Sequence, residues 1–166
     1  MRVSAITTPE ELAEALAVRF AVFVGEQGVS PDAERDAIDT DPRTLHVIAY
    51  SDEGDVLGTG RLVAPHSDSA HGAAVGFGNM DPSRPHIGRL AVAAIARRTG
   101  AGKAIMIELE RQALALFGEG RRIRVELSAQ DHALAFYKKL GYTTFGDGYL
   151  DEGIPHHDAF KIVVAR

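Results

Sequence analysis

The spacing of apolar and polar residues predicts short strands that alternate with amphipathic helices. Over 122–127, Ile123, Val125 and Leu127 alternate with charged residues, which is typical of a strand with one buried face. After position 103, apolar residues recur every three or four positions, as on one face of a helix. This face comprises Ile105, Leu109, Ala113 and Leu116. Over the whole chain, the spacings predict β-α-(α)-β-β-β-α-β-α-β-β, a mixed α/β sheet with helices on both faces.

Turn and capping residues set the bounds of these elements. A Thr-x-x-Glu capping box that starts at Thr8, with proline in the first helical position, predicts the first helix. Gly25 and Gly28 are predicted to break that helix, Ser51–Gly54 to form a hairpin turn, and Pro65–Asn79 to form a loop. The other strands are predicted over Val3–Ile6, Leu45–Tyr50, Asp55–Val63, Ile87–Val92, Tyr142–Phe145 and Ala159–Val164.

A glycine loop at 97–103 lies between the predicted strand Ile87–Val92 and a predicted helix at Ala104–Phe117. Backbone N–H groups at a helix start, together with the helix dipole, form a binding site for anions. The loop also carries the basic residues Arg97, Arg98 and Lys103. A phosphate or pyrophosphate is therefore the expected ligand. The glycine spacing is neither that of a P-loop nor that of the G-x-G-x-x-G dinucleotide motif.

A second motif runs from Leu127 to Tyr142, directly after the alternating strand. Ser128 and Asp131 fit a capping box at a helix start, and Gly141 is the predicted helix end. The helix face between them comprises Ala133, Phe136, Tyr137 and Leu140.

These segments resemble the GNAT superfamily of N-acetyltransferases. Arg97–Gly102 has the R-x-x-G-x-G spacing of its acetyl-CoA pyrophosphate loop, and Ala133–Tyr142 resembles its A-x-x-F-Y-x-x-x-G-[FY] segment. Arg19–Val29, with the acidic residues and His46 that follow, resembles the amino-terminal region of ElaA-like and YjcF-like members. Gly153–His156 resembles the late loop of the same subgroup.

The resemblance implies an α/β fold with a mostly antiparallel central sheet of about seven strands that splays after the fourth, where the pantetheine of CoA inserts. It also implies acetyl-CoA as co-substrate, with the backbone of the fourth strand paired to pantetheine amides. The expected cofactor-binding residues are Leu90, Ala91, Val92, Arg97, Arg98, Thr99, Gly100, Ala101, Gly102, Lys103, Gln130 and Phe136. The family places a tyrosine at Tyr137 beside the sulfur, where a phenol protonates the leaving thiolate as general acid.

A base must also deprotonate the ammonium group of the acceptor. Glu26 is one candidate, because it lies between an apolar helix and Gly28, where burial raises a carboxyl pKa. The histidines that remain open as alternatives are His46, His86, His156 and His157. A cluster of acidic residues is interpreted as a solvated loop that attracts a cationic amine, since its spacing does not fit an EF-hand and no metal is predicted. It comprises Asp32, Glu34, Asp36 and Asp39.

Composition narrows the classes of function. The length of 166 residues predicts a single domain over 1–166. A net charge of −5 disfavours nucleic-acid binding, and no apolar run is long enough for a membrane span. The chain has no cysteine, which excludes an acyl-cysteine intermediate and agrees with direct attack and with a cytoplasmic protein. The resemblance implies that a homodimer is common.

The sequence therefore predicts an acetyl-CoA-dependent N-acetyltransferase that acts on a primary amine of a small molecule. A non-catalytic acyl-CoA-binding or regulatory domain of the same fold is the alternative. A different phosphate-binding protein is the third hypothesis.

Overall fold

The sheet of the protein has seven strands. The computed structural model describes residues 1–66 and 78–165, so most of the predicted loop Pro65–Asn79 lies outside the described residues. The strand order is β1-β2-β3-β4-β5-β7-β6. The strands are β1 (Arg2–Ala5), β2 (Leu45–Tyr50), β3 (Val56–Val63), β4 (His86–Val92), β5 (Arg122–Gln130), β6 (Thr143–Asp151) and β7 (Ile154–Val164). The β4–β5 pair is parallel, and the β1–β2, β2–β3, β5–β7 and β6–β7 pairs are antiparallel, which confirms the predicted fold class.

Helices of three kinds connect the strands. The α-helices are α1 (Pro9–Arg19), α2 (Pro31–Glu34), α3 (Ala101–Phe117) and α4 (Leu134–Lys139). A π-helix covers Phe20–Glu26, and 3-10 turns cover Ala37–Thr40, Ala94–Ala96 and Asp131–Ala133. The predicted capping box of α1 is confirmed, because the Glu11 N–H donates to the Thr8 hydroxyl at 3.2 Å and the Thr8 N–H donates back to the Glu11 carboxylate at 3.3 Å. None of the helices in the described part of the chain is both long and apolar enough to cross a bilayer.

The chain divides into two compact units, of which the first comprises Met1–Leu62 and Gly88–Arg111. In this unit α3 lies very close to the sheet, because β3 carries glycine at 58 and 60. A Cβ at Gly58 would lie 2.6 Å from the Ala91 carbonyl oxygen, and one at Gly60 would lie 2.7 Å from Leu109 Cδ1. Ile105 and Leu109 are fully buried. The two glycines thus allow α3 and β4 to pack closely against β3.

The second unit comprises Val63–Ile87 and Gln112–Arg166. Its β5 and β7 pair from Arg122↔Val164 to Gln130↔His156. The predicted apolar face of β5 is confirmed, since Val125 and Leu127 are buried and Ile123 is partly buried. On the opposite, charged face, Glu126 is not left in water. The Glu126 carboxylate is 1% exposed and accepts hydrogen bonds from the Arg124 Nε at 2.7 Å and the Asp81 N–H at 2.8 Å.

Several local predictions are wrong. The π-helix continues α1 through Gly25, so the helix ends only before Gly28, where φ is 71°. The long helix starts at 101 rather than 104, and Leu116 on its predicted apolar face is 55% exposed. The predicted capping box at Ser128 does not form, because this residue lies within β5. The late segment 153–156 is a tight turn at 152–153 followed by β7 rather than a loop.

Candidate active site

The predicted anion loop leads directly into the first turn of α3, in the first unit. Arg98 and Gly100 have φ of 66° and 91°, so the chain turns sharply before the helix. Gly100 has no side chain to cap the helix, and the Thr99 hydroxyl donates instead to a carbonyl three residues earlier. The first intrahelical bond is from the Ala104 N–H to the Gly100 carbonyl at 3.0 Å. The N–H groups of 101–103 therefore point out of the helix end, where they can bind a phosphate.

Arg97 lies beside this loop and is held by two contacts. Its Nη2 pairs with Glu26 Oε2 at 2.5 Å, and its Nε donates to the Val92 carbonyl at 3.3 Å. The Arg97 and Glu26 side chains are 46% and 41% exposed. The burial predicted for Glu26 is therefore wrong, and its assignment as a base stays a prediction without that support. The family motif assigns the Arg97 guanidinium to phosphate binding, but in this structure it is paired with the Glu26 carboxylate.

The expected pantetheine-binding residues, Leu90 to Val92, form the last part of β4. Ala91 is buried, whereas Leu90 and Val92 are partly exposed. Just before them, Arg89 has a φ of 50°, which is unusual for a residue other than glycine and interrupts the regular strand geometry. The segment Leu90–Val92 thus comes directly after a distortion of the strand at Arg89.

The acidic residues after the π-helix are not a solvated loop, as the sequence predicted. Glu34 and Asp39 are 3% and 5% exposed, and both bind Arg19, which is 1% exposed. Arg19 Nε donates to Glu34 at 2.5 Å, and its Nη1 donates to Asp39 at 2.6 Å. Arg61 Nη1 bridges Asp36 and Asp39 at 2.8 Å each. We call this set, with Arg89, the buried ion network.

The buried ion network contains three arginines and three carboxylates, so its positive and negative charges are equal in number. Arg89 completes it from β4, with Nη2 contacts to Asp36 at 3.3 Å and to the Ala33 carbonyl at 3.2 Å. Burial opposes ionisation of Asp39, but Arg19 and Arg61 more than offset that effect and lower its pKa to about 2. These carboxylates are therefore already neutralised, and of the four acidic residues only Asp32 is exposed.

The second unit holds the remaining predicted residues. Gln130 ends β5, and Phe136 and Tyr137 lie in α4, all three partly buried. The Tyr137 ring packs edge-on against Phe136, at 5.1 Å between centroids, and against Tyr142, at 5.9 Å. Burial raises the pKa of Tyr137 to about 12. The phenol is therefore protonated at neutral pH, as a general acid must be.

The four histidine candidates occupy different environments. His46 and His86 are buried, each with Nε2 at a backbone carbonyl, and burial lowers the pKa of both. His156 is also buried, with Nδ1 at the Ile154 carbonyl and its ring stacked on Tyr149. His157 differs, because its side chain is 35% exposed and its Nδ1 lies 2.7 Å from a carboxylate oxygen of Asp131.

The sequence reasoning missed two features of this unit. Asp131 was assigned to a capping box but pairs with His157, and no motif links two residues 26 positions apart. Tyr149 was not singled out at all. Its hydroxyl donates to Asp158 at 2.5 Å and also contacts the Ser128 hydroxyl, and the Asp158 side chain is fully buried.

Comparison with known proteins agrees with this structure. A family model described as an acetyltransferase (GNAT) domain matches residues 7–161. The uncharacterized N-acetyltransferase YjcF of Bacillus subtilis is 33% identical over 153 residues, which cover 92% of this chain and 93% of YjcF. The crystal structure of an acyl-CoA N-acyltransferase from Pseudomonas aeruginosa has a TM-score of 0.76 and 29% identity, over 97% of this chain and 99% of that one.

Escherichia coli ElaA shares the fold, with a TM-score of 0.76 at 22% identity over 96% of this chain and 98% of ElaA. The family model, YjcF and the Pseudomonas aeruginosa structure together show that this protein is an acyltransferase. The chain belongs to the GNAT acetyltransferase family, so the resemblance found in the sequence is confirmed.

Proposed function

We propose that this protein transfers an acetyl group from acetyl-CoA to a primary amine of a small molecule by direct attack of the amine. The observation that carries the proposal is the start of α3, where uncapped N–H groups follow Gly100 and Arg97 lies beside them. Such a helix start suits the pyrophosphate of CoA, because it supplies hydrogen-bond donors and partial positive charge together.

In the proposed reaction, the loop 97–103 holds the pyrophosphate and the backbone of Leu90–Val92 holds the pantetheine amides. Tyr137 donates its hydroxyl proton to the sulfur as the C–S bond breaks. A phenol with a pKa of about 12 keeps that proton until a thiolate forms beside it. Arg97 must exchange the Glu26 carboxylate for a phosphate oxygen when the co-substrate binds.

Calorimetric titration with acetyl-CoA tests the binding part of the proposal. We expect micromolar binding by the wild type and at least about tenfold weaker binding by Gly102→Glu, since the new carboxylate faces the pyrophosphate. Ala13→Glu is the matched control, because it adds the same charge at an exposed position of α1 in the same unit. If the wild type does not bind, or both variants weaken binding equally, the loop is not the pyrophosphate site.

Tyr137→Phe tests the chemical part. We expect the rate of amine-dependent thiol release to fall about 10²-fold while the acetyl-CoA dissociation constant stays the same. The substitution removes one oxygen atom and keeps the ring contacts with Phe136 and Tyr142. An unchanged rate would show that another group protonates the sulfur.

A further inference from the structure

Asp131 and His157 form a carboxylate–imidazole pair at the carboxyl end of β5. His157 lies on β7 opposite Ala129, and Asp131 follows β5 directly in the next 3-10 turn. The His157 Nδ1 and an Asp131 carboxylate oxygen are 2.7 Å apart, and both side chains are about a third exposed, at 35% and 38%. A carboxylate at Nδ1 holds the proton there and leaves Nε2 as the nitrogen that accepts a proton.

The residue that faces that nitrogen has no side chain. Gly148 on β6 is next to the imidazole, and a Cβ at this position would come within 2.7 Å of both Cε1 and Nε2 of His157. Within residues 1–66 and 78–165, no hydrogen bond reaches Nε2. The absence of a side chain at 148 therefore leaves the basic nitrogen uncovered.

The pair also lies on the same face of the sheet as Tyr137. Alternate residues of a strand point to the same side, so His157 and Lys161 share a face of β7. The Lys161 ammonium lies 5.7 Å from the centre of the Tyr142 ring, and the Tyr142 ring lies 5.9 Å from that of Tyr137. Helix α4, which carries Tyr137, begins only three residues after Asp131. The acid and base candidates thus lie on one face of the sheet, with the Tyr142 contact opposite Val125 and His157 opposite Ala129 along β7.

We infer that His157, oriented by Asp131, is the general base that removes the proton from the ammonium group of the acceptor. The inference rests on the proposed function. In this step an N–H bond of the ammonium breaks and its proton goes to His157 Nε2. The amine lone pair forms the C–N bond at the thioester carbonyl, the C–S bond breaks, and Tyr137 protonates the thiolate. The new amide nitrogen then loses its remaining extra proton, which returns through solvent to the Tyr137 phenolate. The proton on His157 then passes to water.

The inference defines a class of acceptor. A base is needed only for an amine that is protonated at neutral pH, which is an aliphatic amine. A weakly basic amine such as hydrazine is protonated to a much smaller extent under the same conditions, and its neutral fraction attacks without that proton transfer. Loss of the base should therefore affect the two kinds of acceptor very differently.

The experiment compares these acceptors in thiol-release assays near pH 7.5, with spermidine and lysine as aliphatic amines and hydrazine as the weak base. For His157→Gln and His157→Ala, we expect kcat/KM for the aliphatic amines to fall about 10²–10⁴-fold, and for hydrazine less than about tenfold. The acetyl-CoA dissociation constant should stay at the wild-type value. Added imidazole should restore part of the activity of His157→Ala with the aliphatic amines.

Three further variants separate catalysis from structure. Asp131→Asn removes the charge that orients the imidazole and should lower the aliphatic rate in the same selective way. Gly148→Ala places a methyl group 2.7 Å from Cε1 and Nε2, which crowds the imidazole, and should lower the aliphatic rate although both residues of the pair are kept. His132→Ala is the control, since this exposed histidine adjoins Asp131 in the chain and should leave both rates unchanged.

The possible outcomes are distinct. Equal losses with both kinds of acceptor, or aliphatic rates within about threefold of wild type, would overturn the assignment of His157 as base. If the wild type binds acetyl-CoA but none of the amines, hydrazine included, releases thiol, the proposed acetyltransferase function fails and the base assignment with it. Circular dichroism of each variant shows whether the fold is retained, and the hydrazine rate serves as an internal check of the acetyl-CoA site.

Discussion

Replacement of Arg19 by methionine should be among the most destabilising single changes in this protein. The guanidinium is 1% exposed and makes four hydrogen bonds, two to Asp39 carboxylate oxygens, one to the Glu34 carboxylate and one to the Glu34 carbonyl. Asp39 keeps Arg61 as a partner at 2.8 Å, but Glu34 loses its ion pair while its side chain stays 3% exposed. A buried carboxylate without its cation typically costs about 3–5 kcal/mol of unfolding free energy.

A double-mutant cycle tests the physical reason. Glu34→Gln alone leaves Arg19 with Asp39 and should cost about 1–3 kcal/mol. In the double variant, a neutral amide replaces the Glu34 carboxylate, so no uncompensated charge is buried at this position. The cost should therefore be clearly smaller than the sum of the two single costs, with an interaction energy of about 1–3 kcal/mol.

Urea denaturation followed by far-UV circular dichroism is the suitable assay, because the chain has no tryptophan for fluorescence. The m-value should stay constant so that midpoints report stability. A cost below about 1 kcal/mol for Arg19→Met, or costs that simply add in the double variant, would refute the view that Glu34 depends on Arg19 for its charge.

Three further predictions follow from single contacts. The pKa of Asp39 is about 2 in the fold, against an ordinary value of 3.8. Its contribution of about 2 kcal/mol to the unfolding free energy is therefore present above about pH 4 and is lost as the pH falls toward 2. Urea titrations across that range should show this loss in the wild type and a weaker loss in Asp39→Asn. Glu26→Gln should tighten acetyl-CoA binding by up to about fivefold in calorimetry, because it removes the exposed Arg97–Glu26 ion pair, which is worth less than about 1 kcal/mol. Weaker binding would contradict the view that Arg97 exchanges the Glu26 carboxylate for a phosphate oxygen. Tyr149→Phe should lower the unfolding free energy by about 1–3 kcal/mol in urea, because buried Asp158 loses a hydrogen bond; an unchanged midpoint would mean that this bond contributes nothing net.

Local patterns predicted the elements that depend on neighbours in sequence. The strand Leu45–Tyr50 has the predicted bounds, and the capping box at Thr8 forms as expected. Both depend on residues within a few positions, so the sequence contains the whole signal. The start of α3 at 101 differs from the prediction because Gly100, rather than the later glycine at 102, supplies the turn with positive φ.

Contacts between distant segments were not predictable from the same patterns. The acidic residues 32–39 have the composition of a solvated loop, and nothing nearby indicates that Arg61 and Arg89 neutralise them from β3 and β4. The pairing of Asp131 with His157 likewise depends on the β5–β7 register. Family motifs singled out Arg97 and Tyr137 as candidate site residues, but no motif indicates that Arg97 pairs with Glu26.

The glycines at 58 and 60 have a consequence for mutational scanning. Neither belongs to the residues expected to touch acetyl-CoA, yet any side chain there would push against Ala91 on β4 or Leu109 on α3 and disturb the packing of these elements. A mutational scan that measures cofactor affinity would therefore report both positions as sensitive, and they would be mistaken for residues that contact the cofactor. A parallel measurement of folded protein abundance would separate these spacer positions from true contact residues.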